Sequence, residues 1–216
     1  MKTRSGKTAG AIPRSHVRSN FPRQPITDLR ANAVFLVGFM GAGKSSVGRA
    51  LSERLNWMFE DLDDRIERRE RRTVAEIFRQ SGEPAFRRAE HSALQNVLDG
   101  LRDGARIIAL GGGVYVHSNN ATLLKSAGVP TVFLDAPVEE LWQRCCNQAS
   151  DAGTDRPLLR NPEQFRELYE TRCRSYAKAS LTIQTGGRTV DEIAAEIQQK
   201  LGLKKIELRV AQGEVE

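Results

Sequence analysis

The sequence predicts an α/β protein in which a five-stranded parallel sheet is flanked by helices. Short apolar runs alternate with helical segments between residues 33 and 201, a pattern typical of parallel sheets covered by helices on both faces. A glycine-rich turn joins the first apolar run directly to the first helix. Ligands bind beyond the carboxyl ends of the strands in such sheets, so functional residues are expected in the segments that follow strands.

The five predicted strands are short runs rich in apolar residues, at residues 33–37, 57–60, 106–110, 130–135 and 181–184. The predicted helices cover residues 44–55, 64–71, 74–80, 83–101, 119–127, 138–147, 162–178 and 190–201. Thr73 followed by Glu76 forms a capping box that opens one of these helices. Residues 148–155 are polar and predict a loop, which we assign to a lid at about residues 148–160.

Length and charge distribution indicate one neutral domain with a basic extension. A chain of 216 residues favours a single domain, placed at residues 31–203 between a disordered extension, residues 1–30, and a tail, residues 204–216. The extension holds seven basic residues and one acidic residue, so it accounts for the whole net charge of +6. The neutral domain argues against a nucleic-acid partner. An organelle transit peptide is the alternative interpretation of the extension.

The remaining composition indicates a cytoplasmic protein. No run approaches the ~18 apolar residues of a membrane span, and the N-terminus lacks the apolar core of a secretory signal. The three cysteines show no metal-ligand spacing, and their odd number favours free thiols in a reducing compartment. We therefore expect a monomer that acts on small molecules, with no membrane partner.

The strongest motif runs from Gly38 to Ser45, where the sequence reads GFMGAGKS. It fits G-x-x-x-x-G-K-[ST] between an apolar strand and a helix, the context of a nucleotide-binding P-loop. Lys44 would neutralise the terminal phosphates of ATP, and Ser45 would ligate Mg²⁺. A plain glycine turn is the alternative, but it would not require Lys followed by Ser. The residues expected to line the nucleotide are Gly41, Ala42, Gly43, Lys44, Ser45 and Ser46.

Two carboxylates follow the second strand in the sequence Asp61-Leu62-Asp63. A spacing of two places both on one side of an extended segment. One would hold Mg²⁺ through water, and the other would accept a proton from a substrate hydroxyl. A solvated acidic stretch with Glu60 and Asp64 fits these residues about equally well when they are considered alone.

Arginines and a run of glycines in later segments suit an anionic substrate. Arg87 and Arg88 lie on one helix, where one of them would clamp a carboxylate bidentately. Surface salt bridges with Glu83 and Glu90 are the alternative. Three glycines, residues 111–113, end the third strand, so their amides would approach a ligand closely or form a flexible turn.

Two further arginines complete this set. Arg156 lies in the polar segment between two ordered elements, where a closing lid needs a charged group. Arg172 lies on the next helix and would form the second half of an anion clamp. Neither position is diagnostic by itself.

The order and spacing of these motifs resemble the shikimate kinase family. The motifs are GFMGAGKSS, DLD, GEPAFRR, LGGG, RPLL and a helix with Arg172-x-x-x-Tyr176, and they cover about residues 34–203. The P-loop is shared with many kinases, whereas the ordered set of the other five is far more specific. The resemblance implies a three-layer, nucleoside-monophosphate-kinase-like architecture with a lid. It also implies phosphoryl transfer from ATP to the 3-hydroxyl of shikimate, on the route to chorismate and the aromatic amino acids.

The resemblance further implies a role for each matching residue. Lys44, Asp63 and Arg156 would form the catalytic set, with Asp63 orienting or deprotonating the attacking hydroxyl. Ser45 and Asp61 would serve Mg²⁺. The residues expected to contact the substrate are Asp63, Arg87, Gly111, Gly112, Gly113 and Arg172. Those expected to contact the nucleotide outside the P-loop are Arg144, Arg156 and Arg188, the last matching only with a one-residue gap.

The chain departs from the family pattern in three places, which leaves competing functions to consider. The lid segment is longer than usual, Arg174 stands where the family has proline, and the basic extension is unusual. One competitor is a kinase of another hydroxy acid such as gluconate, which would not need the FR, GGG and RPLL segments together. The other is a non-catalytic nucleotide-binding regulator, which would tolerate loss of Lys44, Asp63 or Arg156, all present here.

Overall fold

The computed structural model describes residues 32–152 and 161–207, apart from the side chains of residues 149–152. Its strands are β1 (Ala33–Val37), β2 (Met58–Asp61), β3 (Arg106–Ala109), β4 (Thr131–Asp135) and β5 (Leu181–Gln184). Its helices are α1 (Lys44–Leu55), α2 (Leu62–Glu70), α3 (Val74–Asp99), α4 (Ser118–Ala127), α5 (Val138–Ala152), α6 (Pro162–Tyr176) and α7 (Val190–Leu201).

The strands form one parallel sheet in the order β2-β3-β1-β4-β5. β1 is central and buried along its whole length, as expected for a strand covered by helices on both faces. The carboxyl ends of β2, β3 and β1 lie side by side, because Asp61 pairs with Ala109 and Ala109 pairs with Leu36. The predicted fold class is confirmed, and three of the predicted motifs follow these adjacent strand ends.

Most predicted elements are present, and the bounds of β1, α1, β5 and α7 match the prediction. α5 differs most, because it continues to Ala152 rather than ending at residue 147. The first part of the predicted lid loop is therefore helical, and no glycine or proline interrupts residues 148–152. The rest of the predicted lid and the basic extension lie outside the described residues. The other bounds move by one or two residues.

α2 begins at Leu62, two residues earlier than predicted, so the second acidic residue, Asp63, is helical. Asp61 ends β2 and caps α2, since its Oδ1 accepts a hydrogen bond from the Asp63 backbone N–H at 3.1 Å. Asp63 therefore lies in the first turn of a helix, and the prediction of one extended segment carrying both carboxylates is wrong.

α3 contains the two helices that the sequence predicts, joined at a break. Gly82 has φ 76° and ψ 169°, which interrupts the helical backbone, and Pro84 follows two residues later. The predicted capping box is confirmed, because the Thr73 hydroxyl accepts from the Glu76 N–H and the Glu76 side chain accepts from the Thr73 N–H.

The first residues of the predicted tail contact the end of α1. Ile206 N–H donates to the Leu55 carbonyl at 2.8 Å, and the indole N–H of Trp57 donates to the Lys204 carbonyl at 3.1 Å. Leu203 is buried beside them. Across the part of the chain that the structure describes, no helix combines the length and the hydropathy needed to cross a membrane.

Candidate active site

The P-loop follows β1 and is closed by a lysine that reaches back across it. Lys44 opens α1, and its Nζ donates hydrogen bonds to the carbonyls of Gly38 and Phe39, each at 3.0 Å. Gly41 has φ 77°, and a Cβ there would lie 2.8 Å from the carbonyl oxygen of Leu141. Backbone conformation and space therefore both require glycine at this position. The loop presents the N-terminus of α1, where amides and the helix dipole favour phosphate.

A hydroxyl and a carboxylate meet where the P-loop adjoins the end of β2. Ser45 Oγ donates a hydrogen bond of 2.7 Å to Asp61 Oδ2. These oxygens are ligands of the kind that Mg²⁺ prefers. Among the described residues no group of three or more His, Cys, Asp or Glu side chains could hold a metal. Two oxygen ligands suit an ion such as Mg²⁺, which takes few protein ligands and completes its shell with water and phosphate oxygens.

Asp63 is a half-buried carboxylate with an unused acceptor. Its Oδ1 is shielded from solvent and has no hydrogen-bond partner among the described residues. Burial raises the pKa of Asp63 to about 6, the nearby Asp61 adds to the rise, and Lys44 opposes it. Burial conversely lowers the pKa of Lys44, which Asp63 and Asp61 oppose. Lys44 and Asp63 therefore lie within electrostatic reach of each other.

The three glycines after β3 face three of the predicted substrate residues, one each. A Cβ on Gly111 would lie 2.6 Å from Asp63 Oδ1, and a Cβ on Gly112 would lie 3.3 Å from a terminal nitrogen of Arg172. A Cβ on Gly113 would lie 3.0 Å from Cζ of Arg87 and closer still to one of its terminal nitrogens. None of these glycines has positive φ, so it is the space taken by the three side chains that excludes a larger residue.

Arg87 is held in place by two carboxylates of its own helix. Its Nε donates to Glu83 Oε1 at 3.1 Å, and one terminal nitrogen donates to Glu90 Oε1 at 3.0 Å. Glu90 is only 1% exposed, and burial raises its pKa while Arg87 opposes the rise. The salt bridges that were the alternative to a carboxylate clamp are therefore present, and they do not exclude the clamp, because Arg87 also faces Gly113. The salt bridge with Glu90 is buried rather than on the surface. Arg88 is exposed.

Arg172 lies beside aromatic side chains. Its Cζ lies 5.8 Å from the centre of the Phe39 ring, within cation–π range. Among the described residues no carboxylate forms a salt bridge with it. The Tyr176 hydroxyl lies against the same glycine, 3.5 Å from the position of a Cβ on Gly112. The sequence motif Arg172-x-x-x-Tyr176 indicates that these two residues are neighbours, since residues four apart lie on the same face of a helix. It does not indicate that the Tyr176 hydroxyl binds the glycine turn.

Two of the arginines expected to contact the nucleotide outside the P-loop, Arg144 and Arg188, make different contacts. Arg144 donates to the Gly41 carbonyl at 3.3 Å and to the Thr185 carbonyl at 3.1 Å, so it links the P-loop to the segment after β5. Arg188 instead pairs with Glu196 of α7 at 2.6 Å, and none of its contacts within the described residues reaches the P-loop.

The other predicted nucleotide-binding residues belong to the P-loop, the start of α1 and the lid. Gly43 leads into α1 with φ 87°. Ala42 is buried within the loop, and Ser46 is exposed in the first turn of α1. Arg156, the predicted lid arginine, lies outside the described residues.

Comparison with known sequences identifies the family of this chain. A family model described as shikimate kinase matches residues 40–202. A shikimate kinase of Cereibacter sphaeroides is 38% identical over 185 residues, covering 84% of this chain and 88% of its own. One of Geobacter metallireducens is 41% identical over 167 residues, covering 76% of this chain and 88% of its own.

Solved structures agree with the sequence comparison. The structure of shikimate kinase from Acinetobacter baumannii in complex with shikimate has a TM-score of 0.70 and 35% identity, covering 79% of this chain and 93% of its own. The fold, the site and these relatives together establish that the chain belongs to the shikimate kinase family.

Proposed function

We propose that this chain transfers the γ-phosphoryl group of ATP to the 3-hydroxyl of shikimate, which gives shikimate 3-phosphate and ADP for chorismate and aromatic amino acid biosynthesis. One observation carries the proposal. The glycines of residues 111–113 bring one free carboxylate acceptor, Asp63, and two guanidinium groups, Arg87 and Arg172, onto a single turn. Shikimate has hydroxyls and one carboxylate, and the Acinetobacter baumannii relative binds it.

The nucleotide is assigned to the P-loop. Amides of residues 41–46 and the α1 N-terminus would surround the phosphates, and Lys44 would turn from its loop carbonyls to the terminal phosphates. Ser45 and Asp61 would hold Mg²⁺, which supplies charge neutralisation for the leaving and transferred phosphates. Arg144 is suited to a nucleotide contact because it bonds the P-loop, whereas the contacts of Arg188 favour a structural role in α7.

Asp63 is assigned to the attacking hydroxyl. Its unused Oδ1 would accept the hydroxyl proton, and its pKa of about 6 leaves it mostly ionised near neutral pH. A base whose pKa lies near the working pH combines the right protonation state with useful basicity. Because the carboxylate adjoins both Gly111 and the electrostatic field of Lys44, the hydroxyl it binds would face the terminal phosphate.

Arg87 and Arg172 are assigned to the substrate carboxylate. Paired charge-assisted bonds from two helices would fix the ring, which contributes to rate by holding the hydroxyl in line for transfer. Arg156 keeps the role implied by its motif, reaching the transferred group from the lid, and it remains a prediction from sequence.

A coupled assay of ADP release with a panel of hydroxy acids, including shikimate and gluconate, tests this function. We expect turnover with shikimate and little with gluconate. A preference for gluconate would favour the other hydroxy-acid kinase. Nucleotide binding without turnover on any acceptor would favour the regulator.

We also propose a monomer that acts in the cytoplasm, with residues 1–30 as a dispensable extension. The odd number of cysteines, three in all, argues against a disulfide framework that pairs every one of them, which suits a reducing compartment. Sedimentation analysis tests the monomer, and cell fractionation tests the location. Enrichment in an organelle with removal of the extension would favour the transit-peptide interpretation.

A further inference from the structure

Tyr176 lies fully buried at the end of α6, with its hydroxyl on the glycine turn. It is 0% exposed, and its ring lies 5.3 Å from the ring of Phe133. The hydroxyl donates a hydrogen bond to the carbonyl of Gly112. Burial raises the pKa of Tyr176 to about 12, while the charge of the nearby Arg172 opposes that rise. The hydroxyl therefore lies between the turn and one arginine of the clamp.

The two clamp arginines are oriented by chemically different partners. Arg87 is bonded by the carboxylates of Glu83 and Glu90, which offset its charge. Arg172 instead lies beside a phenol, since one of its terminal nitrogens and the Tyr176 hydroxyl lie 3.3 Å and 3.5 Å from the position of a Cβ on Gly112. That phenol stays neutral over the whole working pH range, because burial raises its pKa. A neutral partner fixes the direction of the guanidinium and leaves its positive charge available to a ligand. Arg172 is thus the clamp residue with the stronger attraction for an anion.

The same hydroxyl also sets the direction of the turn's backbone. In a trans peptide the carbonyl of one residue and the N–H of the next lie in one plane and point in opposite directions. By holding the Gly112 carbonyl toward α6, Tyr176 directs the Gly113 N–H to the opposite side. Among the described residues that N–H has no recorded acceptor, so it remains a donor for a ligand.

We propose that Tyr176 is a positioning residue for the substrate carboxylate, because its hydroxyl fixes both Arg172 and the Gly112–Gly113 peptide. The inference rests on the proposed function, since it identifies the group that orients one side of the anion clamp. Loss of the hydroxyl would let Arg172 rotate and the peptide turn, although the ring would still fill its place in the core.

The test is a Tyr176→Phe variant of the full chain, assayed for ADP release at varied shikimate and varied ATP. We expect the shikimate KM to rise about tenfold, the effect of about 1.4 kcal/mol of binding, while the ATP KM stays unchanged and kcat changes less. In an Arg172→Ala background the same change should raise the shikimate KM by clearly less than tenfold, because only one of the two groups that Tyr176 positions, the Gly112–Gly113 peptide, remains.

Tyr115→Phe is the matched control. The Tyr115 hydroxyl also donates to a backbone carbonyl, that of Lys178, at 3.1 Å, but none of its recorded contacts is with the clamp. We expect it to keep the wild-type shikimate KM. Thermal unfolding of each variant checks the fold. If Tyr176→Phe does not fold, Gly112→Ala gives the second test, since its Cβ would lie 3.3 Å from a terminal nitrogen of Arg172 and should raise the same KM.

The inference is overturned by an unchanged shikimate KM in Tyr176→Phe, or in Gly112→Ala where that replaces it. It is also overturned if Tyr176→Phe raises the shikimate KM as much in the Arg172→Ala background as in the wild type, or if the ATP KM rises in parallel. A wild-type chain that shows no turnover with shikimate would instead refute the proposed function, so the two failures are distinguishable.

Discussion

Removing the charge of Asp63 should make the protein more stable and less active. The pKa rises from an ordinary 3.8 to about 6 in the folded chain. Each pKa unit corresponds to about 1.4 kcal/mol, so the folded state disfavours the ionised carboxylate by about 3 kcal/mol. The native state binds more protons than the unfolded state between these two values, so this group lowers stability as pH rises through that window.

An Asp63→Asn variant should therefore unfold at higher urea concentration than the wild type at pH 8, with a gain of up to about 3 kcal/mol. The gain should shrink to about half at pH 5, where the wild-type carboxyl is mostly protonated in the folded state. The kcat should fall by ~10²-fold or more, the scale of a lost general base, with little change in nucleotide affinity. Urea titrations at both pH values and steady-state kinetics measure these effects.

Asp64→Asn supplies the matched control, one residue along the same helix turn and exposed. It removes a favourable charge near a helix N-terminus, so it should lower stability by about 0.3–1 kcal/mol and leave kcat unchanged. An Asp63→Asn protein that is less stable at pH 8, or whose gain is equal at pH 5, would refute the burial argument. Loss of ATP binding alone would assign Asp63 to the metal.

The other predictions concern the phosphate lysine, the clamp and the extension. Lys44→Ala should abolish turnover while circular dichroism shows an intact fold, and an unchanged kcat would contradict the kinase assignment. Arg87→Ala or Arg172→Ala should each lower kcat/KM for shikimate about ten- to a hundredfold, given ~1.5–3 kcal/mol per charge-assisted bond. Shikimate methyl ester should show a similar loss with wild type and little further loss with either variant, whereas full activity on the ester would refute the anion clamp. A chain starting at Asn32 should keep its solubility and kcat, and a loss of either would show that the extension contacts the domain.

The sheet and the phosphate loop could be predicted because their signals are local. Apolar runs such as β1 and the capping box at Thr73 depend on neighbours within a few residues. The end of α5 could not be predicted from polarity, because residues 148–152 are polar like a loop but contain no glycine or proline and so can continue the helix. The start of α2 was missed because its cap, Asp61, also ends a strand.

The partners of the site residues could not be predicted, since they depend on long-range packing. The sequence indicated that Glu90 is near Arg87 but not that it is buried. It indicated that Tyr176 follows Arg172 by one helical turn but not that the hydroxyl bonds Gly112, 64 residues earlier. Likewise, nothing local shows that Lys204 accepts a hydrogen bond from Trp57.

The turn after β3 explains why these distant parts form one site. Its glycines are required for space rather than for φ, since each faces a different side chain from a different element: Asp63 of α2, Arg172 of α6 and Arg87 of α3. A methyl group at any one position would displace the group that faces it, so each glycine should affect a separate function. Gly111 should govern the acceptor carboxylate, and Gly112 and Gly113 the two halves of the clamp. The edge formed by β2, β3 and β1 thus places Asp63, the glycine turn and the P-loop after three neighbouring strands, so the distances between them depend on the sheet.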